Sequence, residues 1–519
     1  MANPNLFPCF FGPRIPVADG VNSEGVAAYA FTPRQALAQY AATGTLNHTF
    51  YASAEMQLST LLELASNVEA TFLAQTAIYC RERDLMKDTP AVLLALLSVL
   101  GPGLLPKVFP RVIDNGRMLR NFVQVMRSGV VGRKSLGSMP KRLVQQWLEE
   151  RSDAALFRDS VGQSPSIADV VKMVHPKPGS AARKALYAYL VGRPYDAATL
   201  PPLVTEYEAF KAGSRDTVPD VPFQMLTSLE LDAEAWKGIA QNAPWQMLRM
   251  NLNTFARHGV FANETVTRRI ATTLADADAI RRARAYPYQL MMAFTAAKGQ
   301  VPECILHALA MAMELAVENV PRLDGRLFIC VDVSGSMSSP VTGYRDGATT
   351  AVRCIDVAAL MVASMLRRNP NAEVIAFNTH VVPVRLSAFD SVMTNAAKLA
   401  ALGGGGTNCS APLAFLNERW ARGDAVVMVS DNESWVDAAG TGGKGTAMMR
   451  AWQEFKRRSP GAKLACIDLQ PNRTAQVKDG GDVLNVGGFS DAVFDVLGAF
   501  VKGTLSAQRW VGEIEALAL

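Results

Sequence analysis

The chain changes its hydrophobic rhythm once. Through the first 320 residues, apolar positions recur at helical spacing in segments of about ten to eighteen residues, as in Ala54–Ala65, Ala70–Arg83 and Pro90–Leu100. Runs of Val, Ile and aromatic residues long enough for strands are scarce there. Pro90, Pro106, Pro140, Pro165, Pro201, Pro244, Pro287 and Pro302 punctuate the pattern where helices would start or be separated. The spacing predicts about a dozen helices. No exact repeat is visible, so a stacked helical-pair solenoid rests on length and spacing, with an irregular bundle as the alternative.

Beyond residue 320 apolar runs alternate with amphipathic segments. Leu327 to Val331 reads as a buried strand, Val352 to Arg368 as a helix and Ala372 to Phe377 as a strand. Helices over 390–402 and 411–421, a strand from Ala425 to Val429, a helix over 446–458, a strand from Lys463 to Asp468 and a helix over 491–502 complete the series. Such alternation predicts a mostly parallel sheet covered on both faces. The expected organisation is therefore an α domain over 1–320 followed by an α/β domain over 321–519. A chain of 519 residues with 49% hydrophobic content is long enough for two or more cores.

The first strand leads into Asp332-Val333-Ser334-Gly335-Ser336-Met337. Loops at the carboxyl ends of strands are where open α/β sheets bind ligands. Here a carboxylate and two hydroxyls stand on alternate residues, a set of hard oxygen donors suited to Mg²⁺ or Mn²⁺. The glycine run Gly403 to Gly406 ends in Thr407, and the Ala425 strand ends in Ser430-Asp431. Each piece alone is ordinary, since Ser-Gly-Ser is a common turn and aspartate often ends a strand. Their order and two strand-end positions together single out Asp332, Ser334, Ser336, Thr407 and Asp431. This set resembles the metal-ion-dependent adhesion site of von Willebrand factor A (vWA) domains. The resemblance implies that the serines and threonine approach the metal while the aspartates act largely through waters.

The net charge of +5 says little, but its distribution says more. Between Gly101 and Trp147 stand Lys107, Arg111, Arg117, Arg120, Arg127, Arg133, Lys134, Lys141 and Arg142 against the single acid Asp114, a local excess larger than the charge of the whole chain. A solvated face usually mixes both signs, so this segment points to a polyanion. Lys172, His175, Lys177, Arg183, Lys184 and Arg193 form a second cluster, and Arg268, Arg269, Arg281, Arg282 and Arg284 a third. Aromatic residues are thinly interleaved, which favours phosphate and shape contacts with structured RNA over base stacking.

Four longer stretches carry a second resemblance: Tyr79 to Ala91 (YCRERDLMKDTPA), Val112 to Arg120 (VIDNGRMLR), Gly132 to Gly137 (GRKSLG) and Met173 to Pro178 (MVHPKP). These resemble the TROVE domain, and a TROVE domain followed by a vWA domain resembles the Ro autoantigen family and its bacterial orthologues. The resemblance implies an α plus α/β protein, a HEAT-like helical-repeat ring closed by a Rossmann-like vWA domain. It implies binding of small noncoding Y-type RNA on the basic surface and of single-stranded 3′ ends of misfolded or damaged RNA in the hole. An exoribonuclease or RNA-repair protein is the implied partner. By position, Lys134, Lys141, Arg142, His175 and Lys177 become RNA contacts, and the charge clusters add Arg117, Arg120, Arg127, Arg133 and Lys172. One departure stands out: Ile167-Ala168 occupy the place where animal members are expected to carry a His-Lys pair.

Catalysis is not expected. His48, His175, His258, His307 and His380 form no His-Glu-x-x-His pattern, and no Gly-x-Ser-x-Gly elbow occurs. The segment Gly440 to Thr446 fails as a phosphate loop, with Ala438 in place of its leading glycine and Gly445 in place of its Ser or Thr. The competing reading is a metal-dependent protein-interaction scaffold whose vWA domain recruits an acidic partner such as a nuclease. Seven scattered cysteines without a Cys-x-x-Cys pair suit buried thiols in a reducing compartment. No apolar segment is long enough for a bilayer, so a cytoplasmic monomer without membrane contact is expected.

Overall fold

The computed structural model describes residues 15–49, 51–214, 218–283, 287–341, 343–344, 352–435, 445–503 and 509–519. Cys9, Arg284 and most of the rejected phosphate-loop segment lie outside them. The chain forms two compact units, one joining residues up to Leu64 with Val317–Ala516, the other joining Ala65–Ala316 with Leu517–Leu519.

The first unit is built on a sheet. The strands among the described residues are β1 (Gly20–Val21), β2 (Ala27–Ala30), β3 (Leu327–Asp332), β4 (Glu373–Phe377), β5 (Val381–Val382), β6 (Ala425–Ser430), β7 (Lys463–Asp468), β8 (Thr474–Ala475) and β9 (Val483–Gly487). Six of them form one sheet in the order β5-β4-β3-β6-β7-β9, parallel except for the antiparallel edge strand β5. Every residue of β3 and β6 is buried, as strands covered on both faces require. Phe328, Cys330, Ile375, Phe377, Val426, Met428, Leu464 and Cys466 point into one core with Leu413, Leu416, Trp452 and Phe455 from the helices Ala411–Glu418 and Ala447–Arg458. The helix Cys354–Arg368 packs on β3, β4 and β6.

The expected boundary at 320 falls near the observed division at 316, but residues 15–64 belong with the sheet. β2 pairs antiparallel with β1 and with β8, making a second, three-stranded sheet. Helix α1 (Pro33–Thr43) then starts with a capping box between Thr32 and Gln35 and packs on β9. The next helix, α2 (Ala54–Ser66), spans the division between the units.

The second unit is helical. It opens with α3 (Ala70–Glu82), α4 (Thr89–Leu100), α5 (Leu105–Val112), α6 (Gly116–Ser128), α7 (Ser138–Glu150), α8 (Asp153–Asp159), α9 (Ile167–Val174) and α10 (Ala181–Val191), and helices continue to Ala316. Contacts run mainly between helices one to three places apart in sequence, the pattern of a stacked array. Eighteen α-helices begin before residue 320 among the described residues, more than the dozen expected. Pieces as short as Phe223–Thr227 and Asp153–Asp159 span at most two turns, too few for a helical period to register.

Candidate metal centre and nucleic-acid interface

The parallel sheet brings five of the candidate side chains to its carboxyl edge. Asp332 ends β3 and is fully buried; its Oδ1 accepts the Ser334 N–H at 2.8 Å and its Oδ2 the Ser430 hydroxyl at 2.7 Å. The Ser334 and Ser336 hydroxyl oxygens stand 3.2 Å apart. The Gly335 N–H donates to the Gly405 carbonyl at 2.9 Å, and the Gly404 N–H to the Val333 carbonyl at 2.9 Å, so the serine loop and the glycine run are laced together. Thr407 follows that run and is buried. Gly405 sits at φ +84°, in the left-handed region that favours glycine, with the Asn378 amide packed against it.

Asp431 completes the set immediately after β6. It is fully buried, and no hydrogen-bond donor among the described residues reaches its Oδ2. Burial, then repulsion from Asp332, push its carboxyl well above the usual range, although the nearby Ser336 hydroxyl opposes the shift. Asp332 is raised for the same first reason. Two buried carboxylates, one of them with an orphaned oxygen, and three hydroxyls form a donor set of hard oxygens that fits a small divalent cation. The residue that sequence reasoning missed is Tyr51, from the segment that joins the sheet unit. Its hydroxyl is raised by burial and by Asp431, and Ser336 hydrogen bonds to it. No sequence signal marked it, because only the fold brings residue 51 to this loop.

The ten basic candidates lie on α6, the loop after it, α7, α9 and the loop that follows α9, and α9 packs on both α6 and α7. Arg127 and Lys172 line one groove of 640 Å³ together with Gln124, Ser128 and Ser164. Arg117 and Arg120, nearer the start of α6, line a separate cavity. Lys134 packs against Gly129, while Lys141 and Arg142 stand near the start of α7. His175 caps α9 in a left-handed conformation, and the Lys177 N–H donates to Glu149 at the end of α7. Seven of the ten are exposed; Arg120, Arg133 and Lys141 are half-buried.

Several arginines outside the set are committed elsewhere. Arg81 pairs with Asp114 at 2.5 Å, Arg111 with Glu82 at 2.7 Å and Arg151 with Asp159 at 3.3 Å. Arg183, counted in the second basic cluster, is buried and bonded to Asp153 and to the Leu148 and Arg151 carbonyls, so it holds α10 in place. Arg133 donates to the Ser98 carbonyl at 2.9 Å and is in part a structural residue. The remaining candidates form no ion pair among the described residues.

Residues 326–501 match the model of the Ro60 vWA domain, and residues 166–314 match that of the TROVE domain. The chain thus carries a TROVE-type domain followed by a Ro60-type vWA domain. Its similarity to the RNA-binding protein RO60 of Deinococcus radiodurans is 25% identity over an alignment of 525 residues, covering 93% of this chain and 95% of that protein. The crystal structure of the Deinococcus radiodurans RO (RSR) protein matches with a TM-score of 0.62 at 21% identity, covering 91% of this chain and all of the other, which shows a shared fold. All five metal candidates lie inside the vWA match. Lys172, His175 and Lys177 lie inside the TROVE match, whereas the candidates from Arg117 to Arg142 precede it.

Proposed function

We propose that this Ro-family protein binds RNA through its helical unit and performs no chemistry on it. The observation that carries this reading is the set of cations on α6, α7 and α9 left without carboxylate partners while neighbouring arginines are paired. The Deinococcus relative is an RNA-binding protein, which supports the same reading. The RNA would be a small noncoding Y-type species, together with misfolded or damaged RNA presenting a single-stranded 3′ end. The role would be RNA quality control in the cytoplasm, by a monomer working beside an exoribonuclease or a repair protein. Reversing Lys134, Lys141 and Arg142 to glutamate tests it. Binding to structured RNA should weaken, and each lost phosphate contact should remove about 0.7–0.9 from the log–log salt slope. An unchanged slope would place RNA elsewhere.

A second reading concerns the vWA unit and is compatible with the first. Asp332, Ser334, Ser336, Thr407 and Asp431 would hold Mg²⁺ or Mn²⁺, and the unpartnered Asp431 oxygen supports this. A cation there would accept a carboxylate from an acidic protein partner. The residues of this chain supply the rest: Ser430 and the Ser334 N–H fix the Asp332 carboxylate, and the two laced loops orient the three hydroxyls.

A further inference from the structure

The first half of α6 walls a cavity of 460 Å³ whose lining includes Asn115, Arg117, Arg120, Asp159, Gly162 and Gln224. Two of its charges are already committed. Arg158 donates to the Asp220 backbone carbonyl at 2.7 Å and pairs with the Asp220 carboxylate at 2.5 Å. Asp159 accepts the Gly116 N–H and pairs with Arg151. Arg117 and Arg120 form no hydrogen bond or ion pair among the described residues, and the Arg120 Nε is buried without an acceptor. The Arg120 guanidinium lies directly against Gly162, at φ +105°, where any Cβ would collide with its Cζ and both terminal nitrogens. Burial, then the like charge of Arg117, lower the Arg120 pKa, with Asp159 opposing. Cations held close together and partly out of water are unfavourable until an anion joins them.

We propose that this cavity binds a terminal phosphate monoester of an RNA chain, held by Arg117 and Arg120. The inference rests on the RNA-binding reading above and names the chemical group that one part of that surface selects. An internal phosphodiester carries a single charge and is served by an exposed cation such as Lys134 or Arg142. A monoester carries a charge of about −1.5 to −2 at pH 7 and presents three terminal oxygens. Two unpaired guanidinium forks match that charge and offer paired donors to those oxygens. A recess also suits a chain end, since an internal phosphate must have strand on both sides of it.

The test uses the full-length protein and one single-stranded RNA in three forms: 5′-phosphate, 3′-phosphate, or hydroxyl at both ends. Fluorescence anisotropy at near-physiological salt should show one phosphorylated form binding at least tenfold tighter than the hydroxyl form, which also identifies the end. The preference should shrink below twofold in Arg117→Gln, an exposed position, and in Arg120→Gln, with far-UV circular dichroism unchanged in the first. It should also shrink between pH 8 and pH 5, because the second phosphate ionisation lies near about 6. Equal binding of all three RNAs would overturn the inference while leaving RNA binding in place. So would a preference that survives both substitutions, or substitutions that weaken all three RNAs alike. Absence of binding by every form would instead remove the underlying reading along with it.

Discussion

Asp431 Oδ2 is a buried oxygen with no donor, beside a second buried carboxylate. A divalent cation resolves both problems at once, by pairing the oxygen and neutralising the repulsion. The expected result is about one Mg²⁺ or Mn²⁺ per chain by calorimetry, with affinity modest because Mg²⁺ keeps several waters and takes few protein ligands. Asp332→Ala should abolish this binding with little change in far-UV circular dichroism; equal occupancy in the variant would refute the assignment. A buried carboxyl outside that set adds a pH dependence of its own. Asp479 accepts the backbone and side-chain N–H groups of Asn485 and the Gln35 amide, yet burial raises its pKa to about 7. A carboxyl raised on folding holds its proton in the native state after the unfolded chain has lost it. Its favourable contribution is therefore present below the unfolded value of about 4 and declines as pH rises towards 7. Thermal melts should show stability falling from pH 5 to pH 8, and less steeply in Asp479→Asn.

Among elements, the legible ones are those whose surroundings repeat along their length. β3, β6 and β7 stand out because burial on both faces leaves unbroken apolar runs such as Phe328-Ile329-Cys330-Val331. β9 was not visible, since Asn485 breaks its run and is accommodated by Asp479 and the Val477 carbonyl, partners supplied by the fold. β1 and β2 are too short to signal themselves. The metal loops show the same division. Asp332, Ser334 and Ser336 are readable because one short loop carries them, while Tyr51 arrives from a separate segment. The glycine run does mechanical work for that loop. Gly405→Ala should cost about 1–2 kcal/mol of unfolding free energy, because the left-handed conformation is unfavourable for alanine. It should also weaken Mg²⁺ binding by displacing Thr407, a combination read by denaturant melts and calorimetry. Unchanged metal affinity would show that the run merely spans a gap.

At the scale of the whole molecule, charge and shape make different demands on an RNA. A basic surface alone responds to phosphate density, which is nearly the same in a blunt duplex and in a duplex with a short tail. If unpaired 3′ ends are recognised as proposed, a 3′-tailed helix should outcompete a blunt one by about tenfold, equivalent to about 1.4 kcal/mol. A 5′-tailed helix serves as the polarity control. Competition at near-physiological salt gives the answer, and equal affinities would reduce the helical unit to a polyanion binder.

The pairing of β2 with β8 also sets a schedule. The Asn22 amide donates to the Ser434 carbonyl at 2.6 Å across 412 residues of chain, and Ser23 bonds Glu433 through its N–H and its hydroxyl, both at 3.0 Å. During synthesis at about 5–20 residues per second, the leading segment therefore waits roughly 20–80 s outside the ribosome before its partners emerge. Its strand edges stay open throughout that interval, so a segment made well ahead of its partners is among the last to reach its native pairing.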